Sequence, residues 1–238
     1  DLLDRYEAEI LPSKKGKKVE HYRIGTLRQH LGHYYLSDLS LTVIRGYRDT
    51  RLTTVSPASL KRELVILSRI LNLASLDWGI ALSHGNPVSQ LSLPKTDDSR
   101  TRRLEPGEEK RLLQGLEQGS ELDHIIRLAL ETGMRRGEIL SLRKEDIDLV
   151  HSTLLIRLTK NGEPRTIPLS SVARNVLRAQ LSASQWVSEG VIRLHKPSLF
   201  TYTPRGLSGA FLRLCRRLGI DDLRFHDLRH EATSRFFE

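Results

Sequence analysis

Cysteine is almost absent from the sequence. The 238 residues contain one cysteine, Cys215, which lies in a run with a helical pattern. A single cysteine can form neither an internal disulfide nor a cysteine-based metal site. We therefore interpret Cys215 as a core side chain and expect the protein to work in a reducing compartment.

Long apolar runs and methionine are also scarce. No stretch approaches the roughly 20 apolar residues that cross a bilayer, so we expect no membrane span. No Gly-x-x-x-x-Gly-Lys loop is present to bind a nucleoside triphosphate. Met134 is the one methionine, so Asp1 is not a translation start, and residues 234–238 predict a helix without a stop signal. We expect a fragment of a longer protein.

Positive charge is in excess. Lys and Arg number 38 against 29 Asp and Glu, which gives a net charge of +9. This balance favours a polyanionic partner, although many basic proteins have none. A basic loop near the start is either a surface that contacts a nucleic-acid backbone or a solvated loop. Its lysines are Lys14, Lys15, Lys17 and Lys18.

The first 95 residues predict a small helical domain. Helices are expected at about 2–10, 19–31, 42–51 and 56–78. Ser56 and Pro57 form a start signal for the last of these helices. Its apolar residues recur at spacings of three and four, as on a buried helix face: Leu60, Leu64, Leu67, Leu71 and Ala74.

A charged segment without apolar residues follows at 96–103, and we interpret it as an interdomain linker. The second domain is expected at 104–238.

In the second domain, two β-favouring runs flank Lys160-Asn161-Gly162, which is a strong hairpin signal. The signal places Lys160 at the hairpin tip, and Pro164 indicates an exposed edge. Helices are expected at about 170–182, 205–218 and from His226 onward. The predicted fold is mainly α with a small β-hairpin or sheet (α+β).

Two segments about ninety residues apart predict a phosphate site. In a helix, His226, Arg229 and His230 stand at i, i+3 and i+4 and share a face near the helix start. Arg135 follows a glycine break, and two arginines suit a phosphodiester with two free oxygens. Each pattern alone is common on solvated helices, so the prediction depends on their combination.

These residues carry a resemblance to the tyrosine recombinase, or phage integrase, family. Its motifs appear as Thr-Gly-Met-Arg-Arg-Gly-Glu-Ile, Thr-Lys-Asn-Gly…Arg-Thr-Ile-Pro-Leu and His-Asp-Leu-Arg-His. The longer runs around the first and third are similar to those of plasmid shufflon recombinases and related phage integrases. The resemblance extends over the whole chain and implies a helical core-binding domain ahead of a catalytic domain.

The resemblance implies a role for each matching residue. Arg135 and Arg229 would clamp the non-bridging oxygens of the scissile phosphate. Lys160 would protonate the departing 5′ oxygen, and His226 would manage the proton at the nucleophile or support the phosphate. The reaction would need neither metal nor cofactor.

Further residues are expected to support the site or to contact DNA. Glu138 would orient Arg135 through a charged hydrogen bond, while His230 would be structural or supporting. Arg136 would face solvent or DNA. Besides the lysine loop, Arg102 and Arg103 of the linker would contact the DNA backbone.

The sequence departs from the family pattern after Arg229. The family's nucleophilic tyrosine and a preceding His or Trp should follow, but no Gly-His, Trp or Tyr occurs there. Tyr202 precedes the motif and is a poor candidate. We therefore expect the nucleophile to lie outside this chain, which would bind DNA without cleaving it. The tyrosines present are Tyr6, Tyr22, Tyr34, Tyr35, Tyr47 and Tyr202.

The expected partner is double-stranded DNA. A recombinase would assemble four copies on two recombination sites. An accessory DNA-bending protein is a further candidate partner. The resemblance implies action in the bacterial cytoplasm or nucleoid, or there as a phage or plasmid product. Three alternatives remain open: a non-catalytic DNA-binding protein of the same fold, a monomeric type IB topoisomerase, and a helical interaction protein with coincidental motifs.

Overall fold

The chain divides into two units, Asp1–Ser99 and Arg100–Glu238. The computed structural model describes residues 1–93, 95, 100–157, 163–186 and 198–238. The helices of the first unit are α1 (Leu2–Glu9), α2 (Lys17–Leu31), α3 (Leu41–Leu52) and α4 (Pro57–Leu76).

Helix α4 is the central element of the first unit and packs against the other three helices. The Ser56 hydroxyl accepts a hydrogen bond from the Ser59 N–H, and Pro57 occupies the first turn, as the sequence predicts. The apolar residues expected on its inner face are all buried: Leu60, Leu64, Leu67, Leu71 and Ala74.

The second unit contains six helices and a sheet among its described residues. The helices are α5 (Glu108–Gln114), α6 (Glu121–Thr132), α7 (Arg136–Leu140), α8 (Ser171–Trp186), α9 (Pro204–Arg217) and α10 (Asp227–Arg235). Helix α6 packs against both α8 and α10 and is the centre of the core. Cys215 is buried there, as predicted, and burial raises the pKa of its thiol to about 11.

The sheet is antiparallel, in the order β1 (Ile147–Asp148), β2 (Thr153–Ile156), β3 (Arg165–Pro168). Strands β2 and β3 are the predicted hairpin, with Leu154 opposite Ile167 and Ile156 opposite Arg165. Strand β1 is an addition that the sequence did not predict. The predicted fold class, mainly helical with a small sheet, is confirmed.

Two boundaries differ from the sequence-based expectations. Helix α2 begins at Lys17, so Lys17 and Lys18 lie in its first turn and not in a loop. The second unit begins at Arg100, inside the predicted linker. The reason is electrostatic, because Arg100, Arg102 and Arg103 pair with carboxylates of the second unit.

In the described part of the chain, no helix has the length and apolar character required to span a membrane.

Candidate DNA-phosphate site

A sharp turn between α6 and α7 presents Arg135. Helix α6 ends at Gly133, whose φ of +59° is in the left-handed region that favours glycine. The chain can therefore leave α6 and begin α7 within three residues, and Arg135 is the N-cap of α7. The Arg135 side chain is 40% exposed, so its guanidinium is accessible to a ligand.

Glu138, one turn into α7, is a buried carboxylate shared by two arginines. It accepts hydrogen bonds from the Arg135 backbone N–H at 2.9 Å and from Arg135 Nη1 at 3.0 Å. Arg165 Nη1 and Nη2 donate to the two carboxylate oxygens at 3.0 and 2.8 Å. Burial alone would raise the pKa of Glu138, but the hydrogen bonds from Arg165 and Arg135 lower it to about 2. Glu138 is thus anionic at neutral pH.

Arg229, on α10, lies next to the same turn. Its Nη1 donates a hydrogen bond to the carbonyl oxygen of Gly133, two residues before Arg135. Burial and the positive charge of Arg135 lower the pKa of Arg229 from its ordinary value. The hydrogen bond to Gly133 sets the Arg229 guanidinium against the turn that presents Arg135. The structure therefore brings together the two arginines that the sequence predicted to converge. We call Arg135, Glu138, Arg165 and Arg229 the arginine site.

His226 stands immediately before α10 and is exposed. Its ring meets that of His230 edge to face, with centroids 5.3 Å apart. Partial desolvation, followed by the positive charge of His230 and of Arg229, lowers the pKa of His226 from its ordinary value of 6.5. The imidazole is consequently neutral at pH 7 and can accept a proton.

A cavity of about 660 Å³ opens beside these groups. Arg135, Arg224 and His226 line it, and its apolar wall includes Phe211 and Phe225, whose rings meet edge to face at 5.6 Å. At the arginine site three guanidiniums face one carboxylate, which leaves two positive charges uncompensated. Such a site attracts an anion with several acceptor oxygens, and a phosphodiester is one.

Ion pairs anchor α10 to the start of the unit. Arg100 Nε and Nη2 donate to the two carboxylate oxygens of Asp227, the first residue of α10, at 2.8 and 2.7 Å. Arg103 Nε lies 3.1 Å from Glu231 Oε2 on the same helix. These contacts fix α10, which carries Arg229, and with it His226, the residue immediately before the helix.

Ion pairs engage three of the predicted DNA-contacting residues, Lys14, Arg102 and Arg103. Arg102 pairs with Glu108 at 2.7 Å, and Lys14 Nζ lies 2.6 Å from Glu20 in the first unit. Arg102, Arg103 and Lys14 therefore hold structure together, and contact with DNA stays a prediction for them. The other lysines of the predicted loop, which are exposed, are Lys15, Lys17 and Lys18.

Two further predictions concern the reaction. Lys160 lies outside the described residues, so its predicted role stays a prediction. Tyr202 is half-buried against the core of the second unit, and its backbone N–H donates to Glu121 Oε1 at 3.1 Å. In the described ranges, no three or more His, Cys, Asp or Glu side chains form a group that could hold a metal ion.

Sequence reasoning missed Arg165. It opens β3, where Arg165 and Ile167 share the half-buried face and Thr166 and Pro168 are exposed. The strand period of two could have indicated this face. The approach of β3 to α7 is a tertiary contact that periodicity does not encode.

Comparisons with known proteins identify the family of the chain. The model of the phage integrase family matches residues 102–238, more than half of the chain. The chain belongs to the phage integrase family, which confirms the resemblance found in the sequence. The shufflon-specific DNA recombinase of Escherichia coli is 38% identical over 246 residues, covering 99% of this chain and 61% of that protein. The chain thus spans less than two thirds of that relative.

Solved structures show the same fold. The Tn1549 transposon integrase, in complex with circular intermediate DNA, has a TM-score of 0.80 at 19% identity, over 99% of this chain and 85% of that chain. A lambda integrase tetramer bound to a Holliday junction has a TM-score of 0.76 at 22% identity, over 100% of this chain and 72% of that chain. At these identities the likeness concerns the fold alone.

Proposed function

We propose that the chain is the DNA-binding and phosphate-clamping part of a site-specific tyrosine recombinase. The observation that carries the proposal is the approach of Arg229 to Arg135 across the Gly133 turn. Two like charges repel, so a fold that holds them together is suited to an anion between them. Membership of the phage integrase family supports DNA as the source of that anion.

In the proposed reaction, a tyrosine hydroxyl attacks the scissile phosphorus. A tyrosyl–phosphate bond forms at the 3′ end, the bond to the 5′ oxygen breaks, and the 5′ strand leaves as a hydroxyl. Arg135 and Arg229 stabilise the negative charge that accumulates on the non-bridging oxygens. The tyrosine proton passes to His226, which is neutral at pH 7, and Lys160 would donate a proton to the 5′ oxygen.

Rejoining is the reverse reaction. A 5′ hydroxyl of a second strand attacks the phosphotyrosine, so one phosphodiester replaces another and no nucleotide hydrolysis is needed. The nucleophile would come from outside these 238 residues. By analogy with the lambda integrase tetramer on a Holliday junction, we propose four copies on two recombination sites. An accessory DNA-bending protein, and action in the bacterial cytoplasm or nucleoid, belong to the same proposal.

DNA binding by this chain tests the proposal. Fluorescence anisotropy with a labelled duplex should show affinity that falls linearly on a log–log plot as salt rises. Arg135→Ala and Arg229→Ala should each weaken binding, whereas Glu117→Gln, on an exposed loop, should not. Binding that is insensitive to salt and equal in all variants would contradict a phosphate clamp.

A nicked duplex tests the position of the nucleophile. We expect no covalent protein–DNA adduct with this chain on a denaturing gel. An adduct that disappears in Tyr202→Phe would show that the nucleophile is already present, and it would overturn that part of the proposal. Relaxation of supercoiled DNA by a monomer would instead favour the topoisomerase alternative.

A further inference from the structure

Arg165 makes the more extensive of the two side-chain contacts to Glu138. Its two η nitrogens bind the two carboxylate oxygens at 3.0 and 2.8 Å, in the forked geometry that makes such pairs strong. The Arg135 side chain donates to the same carboxylate through Nη1, at 3.0 Å. Glu138 is 3% exposed, so water does not replace either arginine easily.

The sheet fixes the position of Arg165. Arg165 pairs with Ile156 in the antiparallel register of β2 and β3, and its side chain lies on the half-buried face of β3. Its backbone is therefore held by the strand while its guanidinium is held by Glu138. Since both η nitrogens are engaged, Arg165 acts on Arg135 through Glu138.

We propose that Arg165 is a positioning residue that occupies both oxygens of Glu138 and so leaves most of the Arg135 guanidinium available for the scissile phosphate. This inference rests on the proposed function. A buried carboxylate with one arginine forms a forked pair with it, and that pair would compete directly with the phosphate. With Arg165 present, Glu138 orients the Arg135 side chain through Nη1 and does not form a forked pair with it.

The charge balance supports the same role. Without Arg165, Arg135 and Glu138 would form a neutral pair, and Arg229 would be the one uncompensated cation of the arginine site. With Arg165, two positive charges remain for the anion. Arg165 therefore contributes both geometry and charge, and the experiment has to separate them.

Three variants make that separation. Arg165→Gln removes the charge and the fork, whereas Arg165→Lys keeps the charge but has no fork. Arg157→Gln is the matched control, because Arg157 follows the adjacent strand and its Nε donates to Asp146, another buried carboxylate. Asp146 does not bind Arg135, so this control removes a similar ion pair without affecting the arginine site.

Two measurements report on Arg135 itself. Nitrogen-15 relaxation of the Arg135 Nε–H group gives the order of the guanidinium in the free protein. Titration with inorganic phosphate, followed through the Nε–H signals of Arg135 and Arg229, gives the affinity for the anion. Urea denaturation of each variant measures stability separately.

We expect Arg165→Gln to bind phosphate about tenfold more weakly than wild type, since small misplacements of a binding group are costly. Arg165→Lys should remain nearly as weak, and both should change the order of Arg135, while Arg157→Gln should match wild type in both measurements. Full recovery by Arg165→Lys would show that charge alone matters and would overturn the proposal. So would unchanged order of Arg135 in Arg165→Gln. If wild type binds no phosphate, the proposed function fails, and the order of Arg135 still decides whether Arg165 positions it.

Discussion

Replacing Glu138 with glutamine should destabilise the second unit, and the loss should depend on pH. The pKa of Glu138 lies at about 2, against an ordinary value of 4.5. At about 1.4 kcal/mol for each pH unit between these values, the ionised carboxylate contributes roughly 3 kcal/mol to the free energy of unfolding. The guanidiniums of Arg135 and Arg165 are 40% and 37% exposed, so solvent screening should reduce the measurable part to about 2 kcal/mol.

The sign of the pH dependence follows from the lowered pKa. The folded state binds the proton of Glu138 less readily than the unfolded state, so the contribution is fully present above pH 4.5 and is lost as the pH falls toward 2. Glutamine does not titrate in this range. The difference in stability between wild type and Glu138→Gln should therefore shrink by about 1 to 2 kcal/mol between pH 6 and pH 3.

Urea denaturation can measure this difference in the second unit alone. Hydrogen exchange of the backbone amides of α6, followed across the urea series by mass spectrometry, reports on that unit. Glu117→Gln, which changes an exposed carboxylate, is the control and should track wild type at both pH values. A difference between wild type and Glu138→Gln that is equal at pH 6 and pH 3 would refute the reasoning.

Three other predictions follow from contacts in the two units. Arg100→Gln leaves the buried carboxylate of Asp227 without its forked partner, so urea denaturation should show a loss of about 1 to 3 kcal/mol, and an unchanged midpoint would contradict this. Gly133→Ala places a side chain at a φ of +59° and should cost about 1 kcal/mol in thermal unfolding, whereas equal stability would show that the turn relaxes freely. Lys14→Gln should destabilise the first unit because the ion pair between Lys14 and Glu20 is lost. Neutralising the three exposed lysines of this region should leave stability unchanged. It should reduce the slope of log affinity against log salt concentration by about 0.9 for each phosphate contact that is lost. If the triple variant binds DNA with the wild-type salt slope, these lysines do not contact phosphates; they are Lys15, Lys17 and Lys18.

Local patterns in the sequence predicted much of the fold. The start signal and apolar spacing of α4 are short-range properties, and the buried face from Leu60 to Ala74 agrees with them. The hairpin was visible because two β-favouring runs flank an Asn-Gly pair in the sequence. Strand β1 was not visible, since its two residues, Ile147 and Asp148, are too few to show a period.

The candidate site was predictable to a smaller extent. The sequence identified Arg135 and Arg229 through their motifs, and in the structure Arg229 binds the Gly133 carbonyl, two residues before Arg135. It did not identify Arg165 or Arg100, because a charged residue in a sequence carries no record of its distant partner. Glu138 was expected to bind Arg135, and the structure adds Arg165, since a buried carboxylate can accept several hydrogen bonds.

The pairing of Arg100 with Asp227 joins positions 127 residues apart. During synthesis, α10 leaves the ribosome long after Arg100 and Arg103, which cannot pair with Asp227 and Glu231 until it has emerged. Contacts of such long sequence separation slow folding. A nascent chain that stops before α10 would lack Arg229, so the arginine site would be missing one of its three guanidiniums.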